Sequence, residues 1–242
     1  MKKTFLVFAF LSYIGSILIA QSVPPVFAFD ENPGSFSMHL CSDGNNFYSA
    51  NGGVPEKGKI TSFNVDGTLI SSYSLPLDMR SIMYDKKTKK IYVATVDKKI
   101  IRIIDLKAGT YEVVYSDLYE NPQSSVTLGP KGKLLYAFDN GTLSIYNFKK
   151  GTVVQILSGL KCGDGNRKGA ASVAVDAKYI YTWDSASKTV FAYDKSGRFI
   201  ESFKLRDGDF GYSLSYAMGM IFVSSSQQGK TGHWYGYKLL EQ

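Results

Sequence analysis

Histidine and cysteine are scarce in this chain. Two of each in 242 residues leave no Cys/His cluster at metal-ligand spacing, and neither His39 nor His233 falls in a recognisable ligand pattern. There is no Gly-rich strand-to-helix loop to cradle a phosphate and no Gly-x-Ser-x-Gly elbow to present a nucleophilic serine. Asp164-Gly-Asn-Arg-Lys-Gly169 opens like a calcium loop, but Lys168 stands where an oxygen ligand belongs and Val175 where the closing glutamate belongs. No cofactor and no metal are therefore expected. Beyond the first twenty residues no apolar stripe recurs at the helical spacing of about 3.6, which argues against helical-bundle and α/β folds.

What the chain has instead is one phrase said five times. A serine opens a short apolar strand, a turn follows, and an Ile/Leu/Phe-aromatic strand leads into a third strand. The anchor aromatics are Tyr48, Tyr92, Tyr136, Tyr181 and Phe222, spaced by 44, 44, 45 and 41 residues. The opening serines are Ser37, Ser81, Ser125, Ser172 and Ser213, each 11 or 9 residues before its aromatic. Gly67, Gly109, Gly151 and Gly197 end the third strands, and six residues past each comes Tyr73, Tyr115, Leu157 or Phe203. Segments such as Ile91-Tyr-Val-Ala-Thr-Val96 are β-branched and aromatic, bounded by turn formers. Asp139-Asn-Gly-Thr142 reads as a two-residue hairpin turn in preference to a glycosylation acceptor. Four short strands per unit at this period predict an all-β chain, a single five-bladed β-propeller of four-stranded antiparallel blades.

The N-terminus has a basic start, an apolar run and a small residue at Ala20, the anatomy of a secretory signal over residues 1–20; an uncleaved anchor is the alternative. The repeat bears on the cut site. The fifth unit ends at Gln242 after its third strand, so Val26-Phe-Ala-Phe29 is expected to supply the missing one and close the ring. Phe29 lies eight residues before Ser37, as Tyr73 lies eight before Ser81. Cutting after Ala28 would delete this strand, which favours Ala20. The propeller then occupies residues 21–242, with blades at about 34–76, 77–119, 120–160, 161–206, and 207–242 plus 23–30. Loss of Lys2 and Lys3 leaves 26 basic against 21 acidic residues. The expected location is secreted or periplasmic, with no transmembrane segment after cleavage. Cys41 and Cys162 would pair by default in such a compartment, but the repeat puts them in blades 1 and 4 on opposite faces, against a disulfide.

The frame also sorts the loops. Turns between strands one and two and between three and four share one face, rich in lysine (Lys86, Lys87, Lys131, Lys133, Lys149 and Lys150 among others), with acids at Asp43, Asp66, Asp85, Asp176 and Asp194. This face would suit contact with an anionic surface; solubility and edge protection are the plainer roles. The opposite face carries the blade connections, which vary in length and composition above an invariant frame, and binding residues concentrate in such loops. Arg80, Asp164, Arg167, Asp209 and Tyr212 are the ligand-binding candidates there, converging near an axial opening rimmed by the five serines. Trp183 beside Asp184 would suit sugar stacking if exposed, but Phe138-Asp139 at the same repeat position marks it as core.

Ile91-Tyr-Val-Ala-Thr-Val-Asp-Lys-Lys-Ile-Ile-Arg-Ile-Ile-Asp105 resembles a YVTN-type propeller repeat, and Ile180-Tyr-Thr-Trp-Asp184 through Gly197 resembles the related NHL repeat. The likeness runs from about residue 30 to 242. It implies the fold, and an exported protein that binds other macromolecules; some relatives are lyases or lactonases, but no active site of theirs matches here residue by residue. The expected function is thus a non-enzymatic binding or scaffold module for a protein or glycan partner. Alternatives are a small lectin, against which the unequal loops speak, and a lyase or hydrolase at the axial depression, with acids from Glu120, Asp164 or Asp209. Nucleic acid is not an expected partner.

Overall fold

The computed structural model describes residues 22–31, 36–162, 172–227 and 230–240, and shows five four-stranded antiparallel sheets in a ring. The first strand, β1 (Phe27–Asp30), stands alone at the start. Blade 1 is β2 (Phe36–Ser42), β3 (Asn46–Gly52), β4 (Lys59–Asn64) and β5 (Leu69–Ser74). Blade 2 is β6 (Met79–Asp85), β7 (Lys90–Thr95), β8 (Lys99–Asp105) and β9 (Thr110–Ser116). Blade 3 is β10 (Val126–Leu128), β11 (Leu134–Asp139), β12 (Thr142–Asn147) and β13 (Thr152–Leu157). Blade 4 is β14 (Val173–Val175), β15 (Tyr179–Asp184), β16 (Thr189–Asp194) and β17 (Phe199–Lys204). Blade 5 is β18 (Ser215–Ala217), β19 (Met220–Ser225) and β20 (His233–Tyr237), completed by β1, which pairs antiparallel with β20. The chain is a five-bladed β-propeller closed by its N-terminal strand, as the period predicts.

Burial follows from the stacking of blades around the axis. The second strands lie between neighbouring sheets, so their side chains are covered on both faces and the runs are continuously buried. The fourth strands face solvent, and Val153, Val154 and Ile156 of β13 are exposed. A bulge interrupts the pairing of third and fourth strands in each of blades 1 to 4. Bulges add twist to an edge that would otherwise template further pairing.

The repeated serines have a different task from the one the sequence suggests. Ser37, Ser81, Ser125, Ser172 and Ser213 are all buried, and they do not rim an open mouth. Instead Ser81, Ser125 and Ser172, together with Ser215 and His39, hook one blade to the next, while Ser213 Oγ accepts the Ser224 N–H within blade 5. Val126 N–H donates to Ser81 Oγ (2.6 Å) and Val173 N–H to Ser125 Oγ (3.2 Å). Ser172 Oγ donates to Gly211 O (2.7 Å), and Leu40 N–H to Ser215 Oγ (3.0 Å). His39 Nδ1 meets Ile82 O at 2.9 Å and completes the circuit from blade 1 to blade 2. The innermost strands have no further strand beside them, so these side chains take up main-chain groups that would otherwise be buried unpaired. A hydroxyl is small enough to do this between blades.

The repeated glycines serve the outer seam. Gly67 has φ +84°, and a Cβ there would lie 2.4 Å from the Cβ of Phe29. Gly151 has φ +65° and would approach a Tyr115 ring carbon at 2.9 Å. The three–four turns of blades 1 and 3 thus press on an aromatic in the fourth strand of the preceding blade, and Gly197 meets Leu157 in the same way. Gly67→Ala is expected to cost roughly 2–3 kcal/mol, from backbone strain plus displacement of Phe29. Gly44→Ala has a similar φ (+102°) but open space around it, so the difference between the two melting temperatures measures the packing part; equal shifts would refute it.

The cysteines are free, Cys41 buried against blade 2 and Cys162 half-buried beside Leu160 and Tyr193. Burial pushes both thiols up. Trp183 is core. Asn140 (φ +45°) and Gly141 (φ +79°) form the hairpin turn between β11 and β12, as that dipeptide prefers. Among the described residues no helix is long and apolar enough to cross a membrane.

Candidate binding face

On the face of the blade connections, the starts of the first strands of blades 1, 2 and 5 bring Arg80 and Tyr212 together. The Arg80 guanidinium carbon lies 6.0 Å from the Tyr212 ring centroid, within cation–π range. Arg80 is 8% exposed. Asp78 fixes it: Asp78 Oδ2 accepts from the guanidinium at 2.9 Å while Oδ1 accepts the Gly53 N–H at 2.6 Å. A second guanidinium nitrogen reaches Met38 Sδ at 3.9 Å. Tyr212 continues into an aromatic group, its ring 5.6 Å from Phe210, which stacks on Phe36 at 5.5 Å and 6°. All three rings are half-buried. The result is a pre-positioned arginine flanked by rigid aromatic surface.

Of the five candidates from sequence, Arg80 and Tyr212 therefore meet. Asp209 is exposed on the same loop, with its N–H donated to Ser224 O (3.1 Å); Arg80 is paired to Asp78 rather than to Asp209. Asp164 and Arg167 lie outside the described residues. Sequence reasoning passed over Asp78, Phe36 and Phe210. Asp78 sits two residues before Arg80, and across one bend of extended chain such a pair can face the same side.

A concavity of about 320 Å³ lies further out on this face, lined by Tyr119, Glu120, Asn121, Ser124 and Asp139 among others. Asn121 Nδ2 donates to Asp139 Oδ1 at 2.7 Å. Glu120, the acid named for a hydrolase, belongs here and not to the axis.

The axial cavity, of about 100 Å³, opens on the other face. Its walls are the far ends of the first strands and their turns: His39, Cys41, Ile82, Met83, Thr127, Val175, Tyr216 and Met218, with Lys86 at the mouth. The expectation that the axial depression belongs to the variable-loop face is corrected by this geometry. A carbonyl can only accept, so His39 Nδ1–H is the donor to Ile82 O. Nε2 is left as a buried acceptor without a partner in the structure. Burial lowers the imidazole to about 4, against the raising effect of the Ile82 hydrogen bond. Among the described residues, no three of His, Cys, Asp and Glu gather as a metal would need.

On the lysine-rich face every turn acid is engaged by its own turn. Asp43 accepts from the N–H of Asn45 and Asn46 and from Tyr48 Oη; Asp176 accepts from Lys178, Tyr179 and Tyr181 Oη. Asp85 is taken by Lys87 N–H and Thr88 Oγ1, Asp66 by Thr68, and Asp194 by Ser196 and Arg198. These donors hold Asp43, Asp66 and Asp194 below their ordinary carboxylate value, to about 2 for Asp194. Lys195 is a staple rather than a free charge: its Nζ donates to Asp176 O and Tyr179 O at 2.7 and 2.9 Å, and burial draws it down to about 8.

No family model matches the chain, and comparison with curated protein sequences gives no match. Solved structures do resemble it. A glutaminyl cyclase of Myxococcus xanthus superimposes over 89% of this chain and 97% of its own, with a TM-score of 0.63 at 10% identity. A structural-genomics protein of unknown function from Bacteroides thetaiotaomicron superimposes over 86% of this chain and 72% of its own, with a TM-score of 0.53 at 9% identity. At such identities the likeness reaches the fold and stops there: this chain is a five-bladed β-propeller whose loops are its own.

Proposed function

We propose that the protein is an exported, non-enzymatic binding module that engages a protein or glycan partner through the blade-connection face, centred on Arg80, Phe36, Phe210 and Tyr212. The observation that carries this reading is the Arg80–Tyr212 contact with its Asp78 anchor. Arginine and aromatic side chains dominate binding hot spots, and rings already stacked lose little freedom on engagement. Arg80 is pre-organised by Asp78, which also holds the Gly53 N–H, and by contact with the core residue Met38. The signal-like N-terminus supports export, and the resemblance to macromolecule-binding propellers points the same way.

The test replaces the aromatics, because removing Arg80 would strand Asp78 in a buried site. Phe210→Ala with Tyr212→Ala is expected to weaken partner capture from the producing cell's envelope by roughly 30-fold or more, as paired hot-spot residues do. Capture is read by quantitative mass spectrometry against a variant changed on the lysine-rich face. A glycan array separates the two partner classes. Equal recovery of the same partners by all forms would end the proposal.

A further inference from the structure

Between blades 2 and 3 on the lysine-rich face lies a groove of about 570 Å³, within the range that holds a ligand of several ring units. Five lysines line it from three separate turns. Lys87 comes from the β6–β7 turn, Lys131 and Lys133 from the β10–β11 turn, and Lys149 and Lys150 from the β12–β13 turn. All five are exposed, and among the described residues none of them is in an ion pair. Asp85 is the acid in the lining, and both its oxygens already accept from Lys87 N–H and Thr88 Oγ1. The floor is apolar: Tyr92 and Phe148 pack edge to face at 5.1 Å and 85°, with Tyr115 against Phe148 at 5.9 Å.

Five like charges around one recess repel one another, and in the lining only Asp85, already engaged by its own turn, stands against them. An anion is the missing counterpart. We propose that this groove binds a linear anionic polysaccharide, one bearing sulfate, phosphate or carboxylate groups along its length. A recessed channel with ammonium groups from three turns suits a chain that can thread it and present successive charges. A flat bilayer would meet the protruding turns but not the recess. A nucleic acid would gain from open aromatic platforms, whereas Tyr92 and Phe148 are buried against each other at 7% and 8% exposure. Recognition here is by charge spacing along a flexible backbone, and the attraction is ionic and salt-dependent. The site stands apart from the blade-connection face, so it holds whether or not the binding reading above survives.

The test compares two charge-matched variants of the protein. One carries Lys131→Gln, Lys133→Gln, Lys149→Gln and Lys150→Gln; the other carries Lys57→Gln, Lys107→Gln, Lys178→Gln and Lys204→Gln, all exposed and outside the groove lining. Probes are a heparin octasaccharide and a galacturonate oligomer, with dextran as the neutral control, titrated from 50 to 300 mM salt. The groove variant is expected to bind the anionic probes at least roughly tenfold more weakly, with a salt slope shallower by about 3; the other variant should change less than about threefold. Circular dichroism and melting temperature check that both remain folded. Equal losses in the two variants would mean diffuse net charge and no site. Silence of both anionic probes, or tighter binding of an oligothymidylate or of phosphatidylglycerol vesicles that depends on the same four lysines, would overturn the proposal.

Discussion

A chain beginning at Phe36 is expected to lose the propeller rather than merely loosen it. β1 carries Phe27 and Phe29 into a cluster with Phe47, Phe63 and Phe222, with ring centroids 4.9 to 6.4 Å apart. Phe29 stands against blade 1 while its backbone pairs in blade 5, so one strand joins the first and last sheets. Upstream, Val23 bridges to Leu205, and Arg206 N–H donates to Val23 O at 2.9 Å. Downstream, Glu31 Oε2 accepts from the buried Trp234 indole at 2.9 Å. Truncating one buried phenylalanine costs about 3–5 kcal/mol, and buried Phe29 is lost together with half-buried Phe27 and the pairing of β20. Domain stabilities are about 5–15 kcal/mol, so the deficit is a large part of the whole. The uncovered edge of β20 would also template aggregation. Thermal unfolding by circular dichroism and size-exclusion chromatography measure the outcome; a monomer melting within a few degrees of the intact chain would contradict it. Phe29→Ala alone is expected to lower the melting temperature by about 10 °C. We propose that any signal cut leaves β1 in place, with the mature chain starting at Gln21, and N-terminal sequencing of the mature protein would read this directly.

Mild acid is expected to destabilise the protein through His39. Its folded value of about 4 lies below the unfolded 6.5, chiefly because burial penalises the imidazolium. Between these values the unfolded chain binds the extra proton, so stability rises with pH. The contribution is fully present above pH 6.5 and is lost as pH falls toward 4. A gap of this size corresponds to about 3 kcal/mol. Below pH 4 the turn carboxylates Asp43, Asp66 and Asp194, held low by their hydrogen bonds, add a second loss with the same sign. His39→Asn keeps a donor for Ile82 O but cannot titrate. Denaturant midpoints from pH 7.5 to 4 should therefore slope in the parent and flatten in the variant. Parallel slopes would show that the acid response has another source.

Much of the scaffold was legible along the chain, because its markers are local. Serine precedes the anchor aromatic by 11 or 9 residues and the turn glycine precedes its fourth-strand residue by six, all within one unit, and the closing strand follows from a count that stops one short. What those markers do was not legible. Ser81 meets Val126, 45 residues on, and Ser125 meets Val173, 48 residues on. These are contacts of one unit with the next, and a repeat read by itself looks self-contained. Two of the four anchor tyrosines bind acids in their own turns: Tyr48 with Asp43 and Tyr181 with Asp176. That five-residue pairing was open to a reader of the sequence, since both residues recur together in blades 1 and 4.

The candidate site divides in the same way. Its loops stood out because they vary while the frame does not, and Arg80 and Tyr212 were within reach on that ground. Their contact joins blades 2 and 5 across blade 1, so it exists only once the ring has closed. The stacking of Phe36 on Phe210 is likewise an encounter of the first blade with the last. The side on which the axial cavity opens depends on how the ends of the first strands splay, which no spacing encodes.

The amino-acid sequence by itself determined the strand alternation, the number of blades and the need for a borrowed strand, because side-chain sterics and turn conformations act over a few residues. Only the tertiary structure decided which side chains meet around the axis, where the cavity opens and which lysines share a groove. Those outcomes depend on the angle at which successive sheets stack, a property of the closed ring rather than of any one blade.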